Sequence, residues 1–166
     1  VTCGYVQLGG VCVSKEIAEY FDDHLLSCGL TYSGHPLACA AGVACLKYYD
    51  DVNILDNVNA SGKVLGEELE ALKSKYEIVG DVRYIGLFSA IELVRDRETK
   101  EPLVEYGKDP AGIMKSIIGK LAQKGFMTYS HENMILICPP LIITPEQVRE
   151  EMKKVDEVIS KINGIY

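Results

Sequence analysis

The sequence predicts a mixed α/β chain whose larger part is an α+β unit, a sheet covered by helices. Three observations carry that reading. Beyond about residue 60 the apolar period switches from helical to strand-like and back. Helix starts are marked by capping residues at Ser14 and at Thr144-Pro145-Glu146-Gln147. By contrast, residues 1–35 are rich in Gly, Val and Leu but have no self-contained pattern.

In chain order, Val11-Cys12-Val13 reads as a short buried strand, which would need neighbours from a sheet this chain does not contain. Ser14 caps a short helix through Ile17 and Phe21, with Glu16 favourably placed in its first turn. Pro36 suits the first position of a helix, where its missing N–H costs nothing. That helix, to about Tyr49, is Ala-rich and suited to close packing. A second helical run places Val64, Leu65, Leu69, Leu72 and Tyr76 on one stripe.

Val79–Gly86 and Leu87–Leu93 then read as two strands around the Gly86 break, and 96–108, charged and containing Pro102 and Gly107, as an exposed loop. Asp109-Pro110 opens a helix with Ile113, Ile117, Ile118 and Leu121 on its apolar face, stopped by Gly125. Phe126–Tyr129 and Ile135–Cys138 read as strands. The capping box at Thr144, with Pro145 at the first helical position, starts a last helix that aligns Val148, Met152, Val155, Ile159 and Ile162.

At 166 residues, 48% hydrophobic and 25% charged, the chain has the composition of a soluble globular protein. A net charge of −7 without a basic stripe argues against nucleic acid and anionic membranes as partners. The longest apolar run, Met134–Ile143, is too short to span a bilayer and is broken by Pro139-Pro140. The six cysteines and three histidines lack metal-ligand spacing, so no metal is expected, and the cysteines read as buried or half-buried free thiols in a reducing cytoplasm. The acidic pairs, such as Asp22-Asp23 and Glu150-Glu151, read as solvated helix faces, and Arg83 beside Asp81 as an ion pair.

Two motifs carry more. They are Thr2-Cys3-Gly4-Tyr5-Val6-Gln7-Leu8-Gly9-Gly10 and Gly29-Leu30-Thr31-Tyr32-Ser33-Gly34-His35-Pro36. With Gly80-Asp81-Val82-Arg83, Gly86-Leu87-Phe88, Ile91-Glu92-Leu93 and Pro139–Thr144 in the same order, the chain resembles the class III (ω-amino acid) aminotransferases almost from end to end. The resemblance implies the C-terminal part of a pyridoxal-phosphate enzyme of fold type I. Residues 1–35 would be a remnant of the large cofactor domain, 36–60 an interdomain helix and connection, and 61–166 the small α+β domain.

In that family the first motif follows directly on a lysine–glycine pair whose lysine carries the cofactor as a Schiff base. By resemblance Val1 falls just after that pair, so the catalytic lysine is expected upstream and this chain alone is expected to be inactive. The resemblance puts the Thr31 hydroxyl, beside Leu30, on the cofactor phosphate of a neighbouring subunit. It therefore implies an obligate homodimer acting on an amino donor, an ω-amino acid or amine, and a 2-oxo acid acceptor.

Two positions depart from the family pattern. Gln7 stands where proline is commoner, and no arginine lies near Tyr129, where many members hold a substrate carboxylate. This version looks more like the taurine–pyruvate and ω-amine branch. Two readings of Tyr129 and His131 stand: they face the substrate, or they only decorate a strand and loop. A non-catalytic interaction or dimerisation module is the rival function.

Overall fold

The computed structural model describes residues 1–165, in two compact units, Val1–Asn53 and Ile54 onward.

The first unit contains two helices. α1 (Lys15–Asp23) starts at Ser14, whose hydroxyl accepts from the Ile17 N–H at 3.4 Å, but it buries no residue. α2 (Pro36–Asp51) begins on its proline and buries Ala38 and Gly42. The anticipated strand at Val11–Val13 is absent: Val11 is 90% exposed and the segment is irregular. Strand backbone is satisfied by a ladder, and no segment of this unit supplies one. The expectation for the thiols is corrected too: five cysteines are exposed and only Cys45 is half-buried.

The second unit holds the entire hydrophobic core. α3 (Ile54–Lys75) buries Val64, Leu65, Leu69 and Leu72, the three- and four-residue spacing of one helix face. β1 (Val79–Ile85) and β2 (Phe88–Asp96) form a hairpin that turns at Gly86, where φ is +55°. A Cβ at Gly62 of α3 would come within 2.8 Å of the Gly86 backbone, so the helix and this turn meet without a side chain between them.

The segment 96–108 is not wholly an exposed loop. β3 (Glu101–Pro102) pairs with β2, and Leu103 and Val104 are buried. Its charges hid two core residues, because a two-residue strand is too short to show a period. α4 (Ile113–Gln123) starts four residues after Asp109, yet Asp109 still caps it. Its carboxylate accepts from the Ile113 and Met114 N–H groups at 2.7 and 3.0 Å, and Gly125 ends the turn at φ +79°.

β4 (Tyr129–His131) begins where the strand expected over Phe126–Tyr129 was to end, and β5 (Met134–Ile137) follows across a tight turn. The ladder fixes that shift, pairing Tyr129 with Leu136 and His131 with Met134. α5 (Pro145–Ile162) carries the full capping box: Thr144 accepts from the Gln147 N–H and Gln147 accepts from the Thr144 N–H.

The main sheet is antiparallel, in the order β1-β2-β5-β4. One face sets Val82, Ile91, Leu93, Ile135 and Ile137 in the core with the buried stripes of α3 and α5. The other is open and carries Arg83, Phe88, Glu92, Leu136, Tyr129 and His131. Among the described residues, no helix is long and apolar enough to cross a membrane, and no group of three or more His, Cys, Asp or Glu is placed to hold a metal ion.

Candidate functional site

The first group of candidate residues lies in the turn before α2. The Ser33 N–H donates to the Leu30 carbonyl at 2.9 Å and the His35 N–H to the Tyr32 carbonyl at 3.3 Å, with Gly34 at φ +64°. These two bonds fold residues 30–35 back on themselves and deliver the chain to the first residue of α2. Thr31 in this bend is exposed, and its hydroxyl has no partner among the described residues. Nothing lies within 4 Å of where a Cβ on Gly29 or Gly34 would sit. The turn therefore offers a free hydroxyl donor and bare backbone next to a helix N-terminus, a setting that suits a phosphate dianion. These residues fit the phosphate end of pyridoxal phosphate. Leu30 contributes its carbonyl to the turn, and its side chain is 81% exposed.

The second group lies on β4. Tyr129 and His131 are two residues apart, so both point to the open face of the sheet, while Ser130 between them is half-buried. Tyr129 also lines an open depression with Lys108, Met114, Lys115, Ile118 and Glu132 among others. Lysines, not an arginine, stand near Tyr129 in space: Lys115, and Lys108, which pairs with Glu105 at 2.8 Å. Sequence proximity could not reveal this, because Lys115 belongs to α4. The Thr31 turn and the β4 pair lie in separate units.

Arg83, the other candidate for an acid, is already engaged. Its guanidinium lies 2.8 Å from Glu92 and 3.3 Å from Asp81, and Asp81 in turn is 2.7 Å from Lys73. The Lys73 hydrogen bond, above all, holds the Asp81 carboxyl below its usual value, with burial working the other way. The expectation of an ion pair holds there.

A groove of ≈ 270 Å³ lies alongside β5, lined by Phe126, Thr128, Cys138, Pro139, Ile143 and Met152 among others. One wall is the Pro139–Thr144 segment. α3 holds that segment through Asn57, which donates to the Leu141 and Ile143 carbonyls at 2.7 and 3.0 Å, and through the buried Ser61, which donates to the Ile143 carbonyl at 2.7 Å. The roles of Asn57 and Ser61 were not legible in the sequence, because their partners lie more than 80 residues away.

An antiparallel sheet covered by helices on one side, preceded by a glycine-flanked turn that leads into a proline-started helix, is the architecture of known transaminases. The structure superposes on the taurine:2-oxoglutarate aminotransferase of Bifidobacterium kashiwanohense, solved in complex with PLP and glutamate, with a TM-score of 0.85 and 48% identity, covering 97% of this chain and 36% of that one. It superposes on an (S)-enantioselective omega-transaminase of Thermomicrobium roseum with a TM-score of 0.80 and 34% identity, covering 97% and 35%. The adenosylmethionine-8-amino-7-oxononanoate aminotransferase of Methanocaldococcus jannaschii is 37% identical over 153 residues, 89% of this chain and 32% of that protein. The family model "Aminotransferase class-III" matches residues 1–159, and the chain belongs to that family. It spans about a third of the length of the relatives it matches.

Proposed function

We propose that the protein containing this chain is a pyridoxal-phosphate-dependent aminotransferase that moves an amino group from an ω-amino acid or amine to a 2-oxo acid, and that its donor is taurine-like. The observation that carries the reading is the family match over residues 1–159 together with the free Thr31 hydroxyl in the turn before α2. The taurine-like donor is supported by the 48% identity to an enzyme described as a taurine:2-oxoglutarate aminotransferase.

When bound, the cofactor supplies an electron sink for the carbon that loses its proton. This chain's part is to bind and orient. The Thr31 hydroxyl donates to a phosphate oxygen, and the bare backbone at Gly29 and Gly34 lets that oxygen approach closely. Tyr129 and His131 offer hydrogen-bonding groups from the open sheet face to the acidic end of the donor. A sulfonate or carboxylate there would be held by neutral or singly charged donors rather than by an arginine fork. The division into a cofactor-domain remnant, a connecting helix and a small domain at residues 35 and 60, and assembly as a homodimer, belong to the same proposal.

The test is borohydride reduction of the cofactor complex of the intact protein, followed by digestion and mapping of the labelled peptide. A pyridoxyl label on a lysine of the intact protein is the expected result. An intact protein that takes no label would overturn the aminotransferase reading and leave the interaction module. Thr31→Ala is expected to weaken cofactor affinity by roughly tenfold, the loss of about one charge-assisted hydrogen bond. Equilibrium dialysis of the holoenzyme measures it.

A further inference from the structure

One face of α2 is built for close approach by the start of the chain. Ala38, Gly42, Cys45 and Tyr49 follow one another at four-, three- and four-residue steps, so they form a single stripe. A Cβ on Gly42 would come within 2.7 Å of the Leu8 side chain and 3.9 Å of that of Val1, which places residues 1–8 directly on this stripe. The first turn is tight. The Tyr5 N–H donates to the Thr2 carbonyl at 3.0 Å, Thr2 is buried, and Cys3 and Gly4 both take positive φ, +50° and +83°. Such a turn holds the Cys3 thiol in one direction, and it points at α2: Cys3 Sγ lies 3.3 Å from Tyr49 Oη. Side chains on a helix lean toward its N-terminus, so the Tyr49 ring reaches back over the turn that carries Cys45. Cys3 thus meets Tyr49 on the helical face that also carries Cys45, one turn away.

We propose that Cys3 and Cys45 form a reversible disulfide that ties the first turn of the chain to α2, with a glutathione-type disulfide as the oxidant. Cys3, exposed and on a fixed turn, attacks as thiolate on one sulfur of the glutathione disulfide. The S–S bond breaks, one glutathione thiolate leaves, and Cys3 carries the other as a mixed disulfide. Cys45, as thiolate, then attacks the Cys3 sulfur and expels the second glutathione. Two protein thiols lose two electrons and two protons, and one glutathione disulfide becomes two thiols. The assignment of Cys45 to the second step follows from its surroundings, because desolvation first, and then the neighbouring Cys3, hold its thiol above the ordinary value. The loop so closed contains α1 and the Thr31 turn. The inference concerns the thiols alone and stands whether or not the amino-transfer reading holds.

The experiment equilibrates the full chain with graded ratios of oxidised to reduced glutathione, traps remaining thiols by alkylation, and maps the peptides without reduction. The expected result is a linked Cys3–Cys45 peptide pair, in a monomer about 2 Da lighter than the reduced chain. It should appear at lower oxidant ratios than glutathione adducts on Cys12, Cys28 and Cys138, and dithiothreitol should reverse it. In Cys45→Ser, Cys3 should instead retain one glutathione, because the second step has no nucleophile. Cys3 and Cys45 both recovered alkylated at the most oxidising ratio would overturn the proposal. So would either one linked to another cysteine or to a second copy of the chain.

Discussion

The two units of this chain are similar in their helices and opposite in what those helices bury. In the second, α3 and α5 each carry an apolar stripe, and every stripe residue reaches the core. In the first, α1 buries nothing, and Val11, Leu25 and Leu30 are more than four-fifths exposed. Ser14 caps α1 through one hydrogen bond, where Thr144 has a full capping box. Local signals thus suffice to start a helix in both units, whereas stability comes from the face that tertiary contacts cover. A unit with this much uncovered apolar surface has the character of an interaction surface rather than of an independent fold.

The strongest way to break that comparison is a pair of core and surface truncations. Leu69→Ala removes a side chain with no exposure and should cost roughly 2–5 kcal/mol in urea unfolding followed by circular dichroism. Leu25→Ala, 88% exposed, should change the same transition by less than about 0.5 kcal/mol. Comparable losses would mean that the first unit has a cooperative core after all.

A second test concerns how α3 is finished. Arg97, just past β2, donates to the Tyr76 carbonyl at 2.6 Å, to those of Glu77 and Val79 at 3.1 and 3.0 Å, and to that of Lys73. One guanidinium therefore satisfies the carbonyls at the C-terminal end of α3 and the link to β1. Arg97→Ala should destabilise the second unit by about 1.5–3 kcal/mol, and Arg97→Lys should recover little, because a single ammonium cannot span four acceptors. Full rescue by lysine would show that charge alone is responsible.

The caps sharpen the contrast further. Thr144→Ala should lower the stability of the second unit by about 1 kcal/mol. Ser14→Ala should leave that transition unmoved and reduce only the helicity contributed by α1, seen as faster amide exchange over residues 15–23. A shift of the main transition by Ser14→Ala would couple the units energetically.

The smallest effect is electrostatic. Asp81 sits below its ordinary value of 3.8 chiefly through the Lys73 hydrogen bond. A depressed carboxyl stabilises the folded state at pH values above its unfolded value, and this contribution is lost as pH falls through the folded value. The stability of the wild type should therefore drop more steeply below pH 3.8 than that of Lys73→Met, and the two should run parallel above about pH 5. Both side chains are more than a third exposed, which keeps the difference small. Parallel curves throughout would make the pair a surface contact without consequence.

Much of the second unit was legible because its signals are local and periodic. The α3 and α5 stripes, the Gly86 turn and the Thr144 capping box each fall within one or two helical turns or one hairpin, where steric and hydrogen-bonding rules act between near neighbours. What was misread depended on distant partners. Leu103 and Val104 looked exposed because their cover comes from the rest of the core, and β4 began later because the β5 ladder, not the apolar run, sets its register. The same holds for the candidate site. Thr31 and the turn around it could be read from a short motif, but its free hydroxyl could not. Nor could the placing of Lys115 near Tyr129.

The sequence by itself determined the family, the helices in their order and the helix starts at Ser14, Pro36 and Thr144, since capping and spacing are written residue by residue. Tertiary structure alone decided which apolar residues are covered, that Arg83 is paired by Glu92 as well as Asp81, that Tyr129 and His131 share an open face, and that Cys3 meets the stripe of α2. The reason is physical: burial, ion pairing and thiol proximity are properties of groups brought together from distant parts of the chain, and each is fixed only when the elements pack.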